Sequence, residues 1–410
     1  MKGNKITIAA LVAATALMTT ACASTQAGSM NAQPVANLQI KQPNATQAMA
    51  IEKFGEQLFN LTLPNNPNAV ISPLSAYTAL GMAYEGAAGT TAQAFQDVMG
   101  MTPEEARSTL AYLLTAWQAD QNGTVVTSAN SAWLDSTLTV QQPWVDTLKA
   151  YYQADVFNLD LGAPDSVKKV NDWISDKTNK LIPSMLDRID PGTAALLVNA
   201  LYLKADWVAP FDTNMTRQDS FTKADGQTVD AWYMGGTVDS AKHFQTPDAE
   251  GVVFPYKDGR LAFVAALPTS GDLKLTDGAI ASWLAATDDS KVAVALPKFH
   301  TEFNTDMTQT LSDMGLADAM DPATANFSNM SPDGMFISKV LQNVSMDVGE
   351  KGTVAAAATV VAMTTSGSPV MLTFVDFNRP YVYAIVDQVT GVPLFIGAMD
   401  DPSLAPPTVK

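Results

Sequence analysis

The chain has 410 residues, of which 47% are hydrophobic and only 16% are charged, a balance that indicates a well-filled globular core and excludes a disordered protein. The formal net charge of −17 argues against nucleic acid as a partner, because phosphate binding requires clustered lysine and arginine. No linker-like stretch divides the middle of the chain, so we predict one large domain, although single cores rarely grow beyond ~300 residues.

The first residues have the pattern of an export signal. Lys2 and Lys5 precede an apolar run over residues 6–18 that is too short to span a membrane, and small residues follow up to Cys22. We therefore predict a signal peptide over residues 1–21. The only cysteine, Cys22, can form no internal disulfide, and residues 19–22 (TTAC) resemble the bacterial lipobox. This favours lipid attachment at Cys22 and an exported cell-envelope lipoprotein; the alternative is ordinary cleavage with an incidental cysteine.

Helical patterns dominate the next part of the chain. Residues 22–46 are small and polar and predict a flexible tether. An apolar stripe that includes Phe54 and Leu58 then indicates a helix. Ser72 before Pro73 is typical of a helix start, and residues 102–105 (TPEE) form a capping box. Two more helices are predicted at residues 144–152 and 167–178.

Strand patterns dominate the second half. Runs typical of buried strands occur at residues 194–203, 261–267 and 292–296, a helix is predicted at 305–314, a long alternating strand at 336–348, and short strands at 374–377, 382–386 and 394–398. Helices followed mostly by strands indicate an α+β fold with large, mostly antiparallel sheets.

Few residues suited to catalysis stand out. The two histidines, His243 and His300, do not lie at metal-ligand spacing from one another, so we expect no metal site and no cofactor. There is no Gly-x-Ser-x-Gly turn and no glycine-rich phosphate loop. Paired carboxylates for glycoside hydrolysis remain open, because Asp and Glu are plentiful. We predict that the protein is not an enzyme.

The most unusual segment covers residues 350–375. It carries no charge after Lys351 until Asp376 and no proline before Pro369. Connections this long inside a compact domain are usually functional or disordered. As a strand, its inward face would carry only small or apolar residues or threonine, namely Thr353, Ala355, Ala357, Thr359, Val361 and Met363. The segment can therefore be loop or strand; an alanine-rich helix and a slack surface linker are the alternatives.

From about residue 46 to residue 402 the sequence resembles the serpin family. The matching motifs lie at residues 68–75 (NAVISPLS), 89–91 (GTT), 198–207 (VNALYLKADW), 296–299 (LPKF), 327–328 (FS), 337–339 (ISK), 377–381 (FNRPY) and 393–397 (PLFIG). Each is weak alone, but their order and spacing are specific. The resemblance implies a serpin-like α+β fold with about eight or nine helices and an exposed reactive-centre loop. The single domain would cover residues 47–402, with a C-terminal tail at 403–410.

The resemblance also implies roles for individual residues. Ser72, Ser75 and Asn199 match the shutter, the place where the main sheet parts, and Gln342 stands where the family usually has a histidine. Since glutamine donates and accepts, a hydrogen bond can survive there. Trp207 matches the tryptophan of the breach, at the top of the main sheet. The hinge of the reactive loop matches Glu350, Gly352, Thr353, Ala355, Ala356, Ala357 and Ala358.

The implied function is inhibition of a serine endopeptidase by a suicide-substrate mechanism, in which the cleaved loop inserts into the main sheet and traps the covalent acyl-enzyme. Counting about seventeen residues from Glu350 predicts the reactive bond at Ser366–Gly367, with Thr365–Ser366 and Met363–Thr364 as fallback bonds. Counting back from residues 377–380 instead gives a bond near Pro369.

The residues around the predicted reactive bond also indicate which protease the protein would bind. Small uncharged side chains around the bond favour an elastase-like or subtilisin-like target over a trypsin-like one. A cysteine protease is a second possible partner, the membrane is reached only through the lipid anchor, and we expect a monomer. A non-inhibitory serpin-like binding or scaffold protein is the alternative; such relatives usually carry bulky or charged hinge residues, and this chain does not.

Overall fold

The computed structural model describes residues 28–36, 38–117, 122–178, 180, 183–353 and 372–407. Its helices are α1 (Ala45–Thr62), α2 (Pro73–Tyr84), α3 (Gly89–Met99), α4 (Pro103–Trp117), α5 (Gln142–Tyr151), α6 (Ser166–Lys177), α7 (Ala279–Ala285), α8 (Thr308–Leu311) and α9 (Ala317–Met320). Its strands are β1 (Val70–Ile71), β2 (Val125–Asp135), β3 (Asp155–Leu159), β4 (Ala195–Asp206), β5 (Arg217–Thr222), β6 (Thr228–Thr237), β7 (Lys242–Gln245), β8 (Ala249–Pro255), β9 (Leu261–Pro268), β10 (Thr287–Asp288), β11 (Lys291–Pro297), β12 (Phe299–Asp306), β13 (Leu341–Gly349), β14 (Gly352–Thr353), β15 (Leu372–Asp376), β16 (Tyr381–Asp387) and β17 (Pro393–Met399). Within these ranges, no helix is long and apolar enough to cross a membrane.

The strands form three sheets. The main sheet has six strands in the order β12-β13-β14-β4-β2-β3, a second has seven in the order β1-β17-β16-β9-β8-β7-β10, and a third has four in the order β15-β11-β6-β5. Only the β2–β3 and β11–β15 pairs are parallel among the described ladders. This confirms the predicted α+β fold with large, mostly antiparallel sheets.

The predicted helix starts are confirmed at α2 and α4. The Ser72 hydroxyl accepts a hydrogen bond from the Ser75 amide at 3.2 Å, with Pro73 at the first helical position. The Thr102 amide donates to the Glu105 carboxylate at 3.0 Å, and the Glu105 amide donates back to the Thr102 hydroxyl at 3.3 Å. These bonds satisfy amides that have no partner inside the helix.

The core lies on both faces of the main sheet. On one face, α2 packs against β4 and β17, and α1 packs against α2 and β17. On the other face, α6 covers β2 and β3, where Trp133 stacks on Phe157 with ring centroids 4.0 Å apart and meets Trp173 edge-on. Strands β9, β16 and β17 are buried along their whole length, which explains their continuous hydrophobic runs.

The long strand predicted at residues 336–348 begins only at Leu341. Residues 334–340 form no strand, because their backbone groups bond elsewhere: Val340 accepts from the Met307 amide at 2.8 Å, and the Ile337 amide donates to Ala319 at 2.9 Å. The predicted helix at 305–314 likewise starts only at Thr308. Met335 and Ile337 instead pack on the core beside α2, whereas Phe336 is exposed.

The segment predicted as a flexible tether, residues 22–46, is partly docked on the domain. Ser29 forms an antiparallel bridge with Phe157 on β3, the outer strand of the main sheet. The Met30 amide donates to Val156 at 2.8 Å. An edge strand has unpaired backbone groups, and this segment satisfies some of them. The tether prediction is therefore wrong for residues 28–30, and α1 already begins at Ala45. The predicted signal peptide and Cys22 lie outside the described residues.

The start of the predicted C-terminal tail packs on the opposite outer strand. The Ala405 carbonyl accepts a hydrogen bond from the His300 amide of β12 at 3.2 Å, after a short turn at Pro402–Leu404. Each outer strand of the main sheet therefore receives a backbone contact from a terminal segment, which hinders pairing of that edge with another chain.

Two carboxylates of α1 are buried against the start of α7. Glu56 accepts hydrogen bonds from the Gly278 and Ala279 amides at 2.8 and 2.9 Å, and Glu52 accepts one from the Ala281 amide at 2.7 Å. The two carboxyl groups lie close enough to affect each other, so their titrations are linked. Burial first, and repulsion from Glu52 second, raise the pKa of Glu56 to about 8, and burial raises the pKa of Glu52.

We expect the free energy of unfolding to fall as the pH rises from 5 to 8. The folded pKa lies above the unfolded value of ~4.3, so the stabilisation is fully present below that value and is lost as the pH approaches the folded pKa. The loss is on the order of 2 kcal/mol. Urea unfolding at both pH values measures it, and Glu56→Gln, which cannot ionise, should reduce the dependence of the free energy of unfolding on pH between pH 5 and 8. An unchanged slope in this variant would contradict the assignment.

Candidate functional site

The first residues of the predicted hinge already belong to the main sheet. Gly352 and Thr353 form β14, which pairs antiparallel with β13 on one side and with β4 on the other. Thr353 lies opposite Ala205 of β4 and is 1% exposed. The hinge therefore enters the main sheet between β4 and β13, with Thr353 as its last described residue.

Gly352 is required by this geometry. Its φ of +149° lies in the region that favours glycine. A Cβ at this position would lie 2.0 Å from the Ala205 carbonyl oxygen. Any side chain would therefore push β14 away from β4.

The predicted breach tryptophan, Trp207, holds the turn that leads into β14. Its indole nitrogen donates to the Gly349 carbonyl at 2.9 Å, and its amide donates to the Lys351 carbonyl at 2.8 Å. The ring stacks on Tyr256 with centroids 4.6 Å apart, and the Tyr256 hydroxyl lies 2.6 Å from the Thr353 hydroxyl. Trp207 and Tyr256 thus fix where the hinge enters the sheet. No pattern in the sequence indicated the role of Tyr256.

Glu350 is held by residues that we did not predict. Its carboxylate accepts hydrogen bonds from the Lys298 ammonium at 2.9 and 3.0 Å and from the Thr216 hydroxyl at 2.8 Å. Burial alone would raise the pKa of Glu350, but Lys298 and Thr216 outweigh it and hold that pKa below its ordinary value. Lys298 lies in the LPKF motif at 296–299, and this motif was the only feature of the sequence that could have indicated a role for it.

Three of the predicted shutter residues meet beneath the sheet. The Gln342 carboxamide accepts from the Ser72 amide and donates to the Ser72 carbonyl, both at 2.8 Å. The Ser72 hydroxyl donates to the Leu394 carbonyl at 2.8 Å and accepts from the Ser75 amide. Gln342 thus uses both its donor and its acceptor to tie β13 to the start of α2, as glutamine can.

The fourth predicted shutter residue, Asn199, bonds towards β2. Its amide nitrogen donates to Asn130 and, at 3.1 Å, to the Ser128 hydroxyl. Asn130 in turn donates to the Tyr152 carbonyl at 2.7 Å. The Asn199 carboxamide oxygen is buried and has no hydrogen-bond partner in the part of the chain that the structure describes. A buried acceptor of this kind is a site where a further donor can bind.

Below β14, the described residues of β4 and β13 face each other without a ladder between them. On the side facing β13, β4 pairs with β14 only at Ala205 and Asp206, whereas on its other side it pairs with β2 along ten residues. Strand β13 pairs with β14 only at Val348 and Gly349. For the described residues, the facing edges of β4 and β13 below these pairs have no ladder partner. Unpaired facing edges can accept an added strand.

The remaining predicted site residues lie outside the described residues. They are the hinge alanines Ala355, Ala356, Ala357 and Ala358, the reactive-bond residues Ser366 and Gly367, and the fallback residues Thr365 and Met363. The described chain resumes at Leu372, in β15 of the four-stranded sheet.

The comparisons with known proteins agree with this geometry. An uncharacterized serpin-like protein of Thermococcus kodakarensis is 30% identical over 369 residues, covering 86% of this chain and 85% of its own. The native structure of the thermophilic serpin tengpin is 29% identical, covers 91% of this chain and 97% of its own, and superposes with a TM-score of 0.83. The latent structure of tengpin is 26% identical over 88% of this chain and 98% of its own, with a lower TM-score of 0.75.

The family evidence covers nearly the whole domain. The family described as serpin (serine protease inhibitor) matches residues 49–402. Proteins of this family are generally inhibitors that bind target proteases rather than enzymes, although thyroxine-binding globulin, which shares the fold, has been solved as a complex with thyroxine. On the sheet architecture, the hinge geometry and this match, the chain belongs to the serpin family.

Proposed function

We propose that this protein inhibits serine endopeptidases as a suicide substrate, by inserting its cleaved reactive loop into the main sheet. The observation that carries the proposal is the position of β14. Its two residues occupy the first rungs between β4 and β13, and the facing edges of these two strands below them have no described ladder partner. A strand that extends β14 would gain backbone hydrogen bonds on both sides.

The register of β14 supports the same proposal. Thr353 lies opposite Ala205 and Val348, so a strand continuing in this register would place Thr359 opposite both Asn199 and Gln342. Residues directly opposite share a face of the sheet. The Thr359 hydroxyl could then donate to the Asn199 oxygen that lacks a partner. Thr359 is the only residue between 354 and 363 that carries a hydroxyl, and this register would place it beside the polar shutter residues.

The chemistry follows that of a serine protease with its substrate. The protease serine oxygen attacks the carbonyl carbon of Ser366, the Ser366–Gly367 bond breaks, and the new amino group leaves on Gly367. The inhibitor stays bound to the protease as an ester. Insertion of fourteen residues, 353–366, at ~3.3 Å each moves the attached protease about 45 Å. Distortion of the protease during this movement prevents water from hydrolysing the ester.

Incubation with pancreatic elastase, subtilisin and trypsin tests the proposal. We expect a complex with elastase or subtilisin that survives a denaturing gel, and a released C-terminal peptide that begins at Gly367 by mass spectrometry. Trypsin should form none, because no Lys or Arg lies between Gly352 and Asn378. Cleavage without a complex would favour a non-inhibitory binding or scaffold protein. A stable trypsin complex, or a cut beyond Pro369, would show that the predicted register is wrong.

We further propose that the inhibitor is exported and anchored by a lipid on Cys22. The support is the export-signal pattern of residues 1–21, directly before the only cysteine. The target would then be an elastase-like or subtilisin-like protease outside the cytoplasm, with a cysteine protease as a second candidate.

A further inference from the structure

We propose that the docked N-terminal segment sets the orientation of the inhibitor on a lipid surface. The end of the main sheet that carries β3 would face the membrane, and the reactive loop would project away from it. This inference rests on the anchor at Cys22 proposed above, but not on the inhibitory mechanism.

The docking is carried by backbone hydrogen bonds to β3. The Asn158 amide donates to the Gly28 carbonyl and the Met30 amide donates to the Val156 carbonyl, both at 2.8 Å, on either side of the Ser29–Phe157 bridge. Two such bonds flanking a bridge fix the direction of the segment along the strand.

The segment then continues across α5. The Gln33 amide donates to the Asp146 carboxylate at 2.7 Å, and the Gln142 side chain donates to the Asn31 carbonyl at 3.0 Å. Further along, the Lys41 amide donates to the Ser108 hydroxyl of α4 at 3.1 Å. The segment is therefore attached at several points before α1 begins.

This docking shortens the link to the membrane. Only the five residues 23–27 separate Cys22 from Gly28, and this link reaches only about 20 Å even when fully extended. If the segment were free up to Ala45, the link could extend to about 80 Å. The surface around β3 and α5 would therefore stay close to the lipid.

The reactive loop leaves from the other end of the same sheet. Phe157, at the docking point, pairs with Trp133 of β2, which pairs with Leu196 of β4. The hinge residue Thr353 lies opposite Ala205, nine residues further along β4. At ~3.3 Å per residue, Thr353 therefore lies about 30 Å from Phe157 when the distance is measured along the strand direction.

The charge of the chain gives no competing attachment to an anionic membrane. The formal net charge is −17, so the lipid surface would repel the protein rather than hold it by another face. A short, docked link would therefore decide which side of the inhibitor faces the lipid. It would leave the loop accessible to proteases arriving from the medium.

Energy transfer to a lipid surface tests this orientation. The chain beginning at Cys22 is coupled through its only thiol to maleimide lipid in phosphatidylcholine vesicles that also contain an acceptor dye on the headgroups. The donor dye is attached through an azide-bearing amino acid at one of two positions. Ser136 is exposed beside the end of β3, and Val208 is 47% exposed beside the hinge. We expect transfer to be several-fold higher from position 136.

Two variants release the docked segment. Met30→Pro removes the amide that donates to Val156, and Asp146→Ala removes the acceptor for Gln33; each should shrink the difference between the two positions. The matched control, Met30→Ala, keeps the backbone amide. It should therefore retain most of the difference in energy transfer between the two positions. Equal transfer from both positions in the unmodified sequence, or a difference that survives both releasing variants, would overturn the inference.

Chemical coupling separates this inference from the proposed anchor. The vesicle experiment does not depend on acylation in the cell, so it reports only on orientation. Membrane fractionation of cells that produce the unmodified protein or Cys22→Ser tests the anchor itself. Release by Cys22→Ser supports the anchor, and an unchanged distribution contradicts it.

Discussion

Replacing Thr353 by arginine is expected to convert the protein from an inhibitor into a substrate of its target protease. Thr353 is 1% exposed between β4 and β13, and its hydroxyl lies 2.6 Å from that of Tyr256. An arginine there would bury an unpaired charge, at a cost of several kcal/mol. Insertion past this point would slow, and water would hydrolyse the acyl-enzyme first. We expect the yield of gel-stable complex to fall at least about tenfold, since ~1.4 kcal/mol in the insertion barrier already gives that factor.

Conservative replacements at the same position provide the control. Thr353→Ser keeps the hydroxyl that contacts Tyr256, and it should inhibit nearly as well as the unmodified protein. Thr353→Val keeps the shape but loses the hydrogen bond, so it isolates the contribution of that contact. If Thr353→Arg still gives an undiminished complex yield, the loop does not insert through β14 and the proposed mechanism is wrong.

Cleavage of the reactive loop is expected to raise the thermal stability of the protein, whereas a cut usually loosens a fold. Ten residues of β4, from Ala195 to residue 204, have no described ladder partner on the side that faces β13. A strand inserted there would form hydrogen bonds to both neighbours. At ~0.5–1.5 kcal/mol net for each bond, the gain is on the order of 10 kcal/mol, which corresponds to about 20 °C in the melting temperature. Calorimetry on intact and loop-cleaved protein measures it.

Two variants show whether the gain comes from insertion in the predicted register. Cleaved Thr353→Arg should gain little, because its strand cannot enter. Thr359→Val should leave the intact protein unchanged but reduce the gain after cleavage by ~1 kcal/mol, because the Asn199 oxygen would then stay unpaired. A melting temperature that is unchanged or lower after cleavage of the unmodified protein would favour the non-inhibitory binding or scaffold alternative.

Both predictions depend on the same property of the hinge. Gly352 lets the backbone approach the Ala205 carbonyl, and Thr353 then occupies the first buried rung. Glu350, tied to Lys298, holds the turn just before them. The intact protein therefore already has the first two residues of the proposed added strand in place.

Features that depend on residues close together in sequence could be predicted. The starts of α2 and α4 follow from side chains that cap amides three residues away, and the buried strands β9, β16 and β17 follow from continuous apolar runs. The resemblance also placed Gly352 in the hinge, but the reason for glycine there, a φ of +149°, came from the structure.

The tertiary structure alone decided features that depend on distant residues. Residues 336–340 alternate like a strand, yet they bond to the region of α8 and α9. Residues 28–30 have a tether-like composition, yet the exposed edge of β3 supplies partners for their backbone. Lys298 meets Glu350, and Tyr256 meets Thr353, across 52 and 97 residues of sequence. Local patterns record propensity and burial, whereas the identity of a partner is determined only when the sheets pack and bring such residues together.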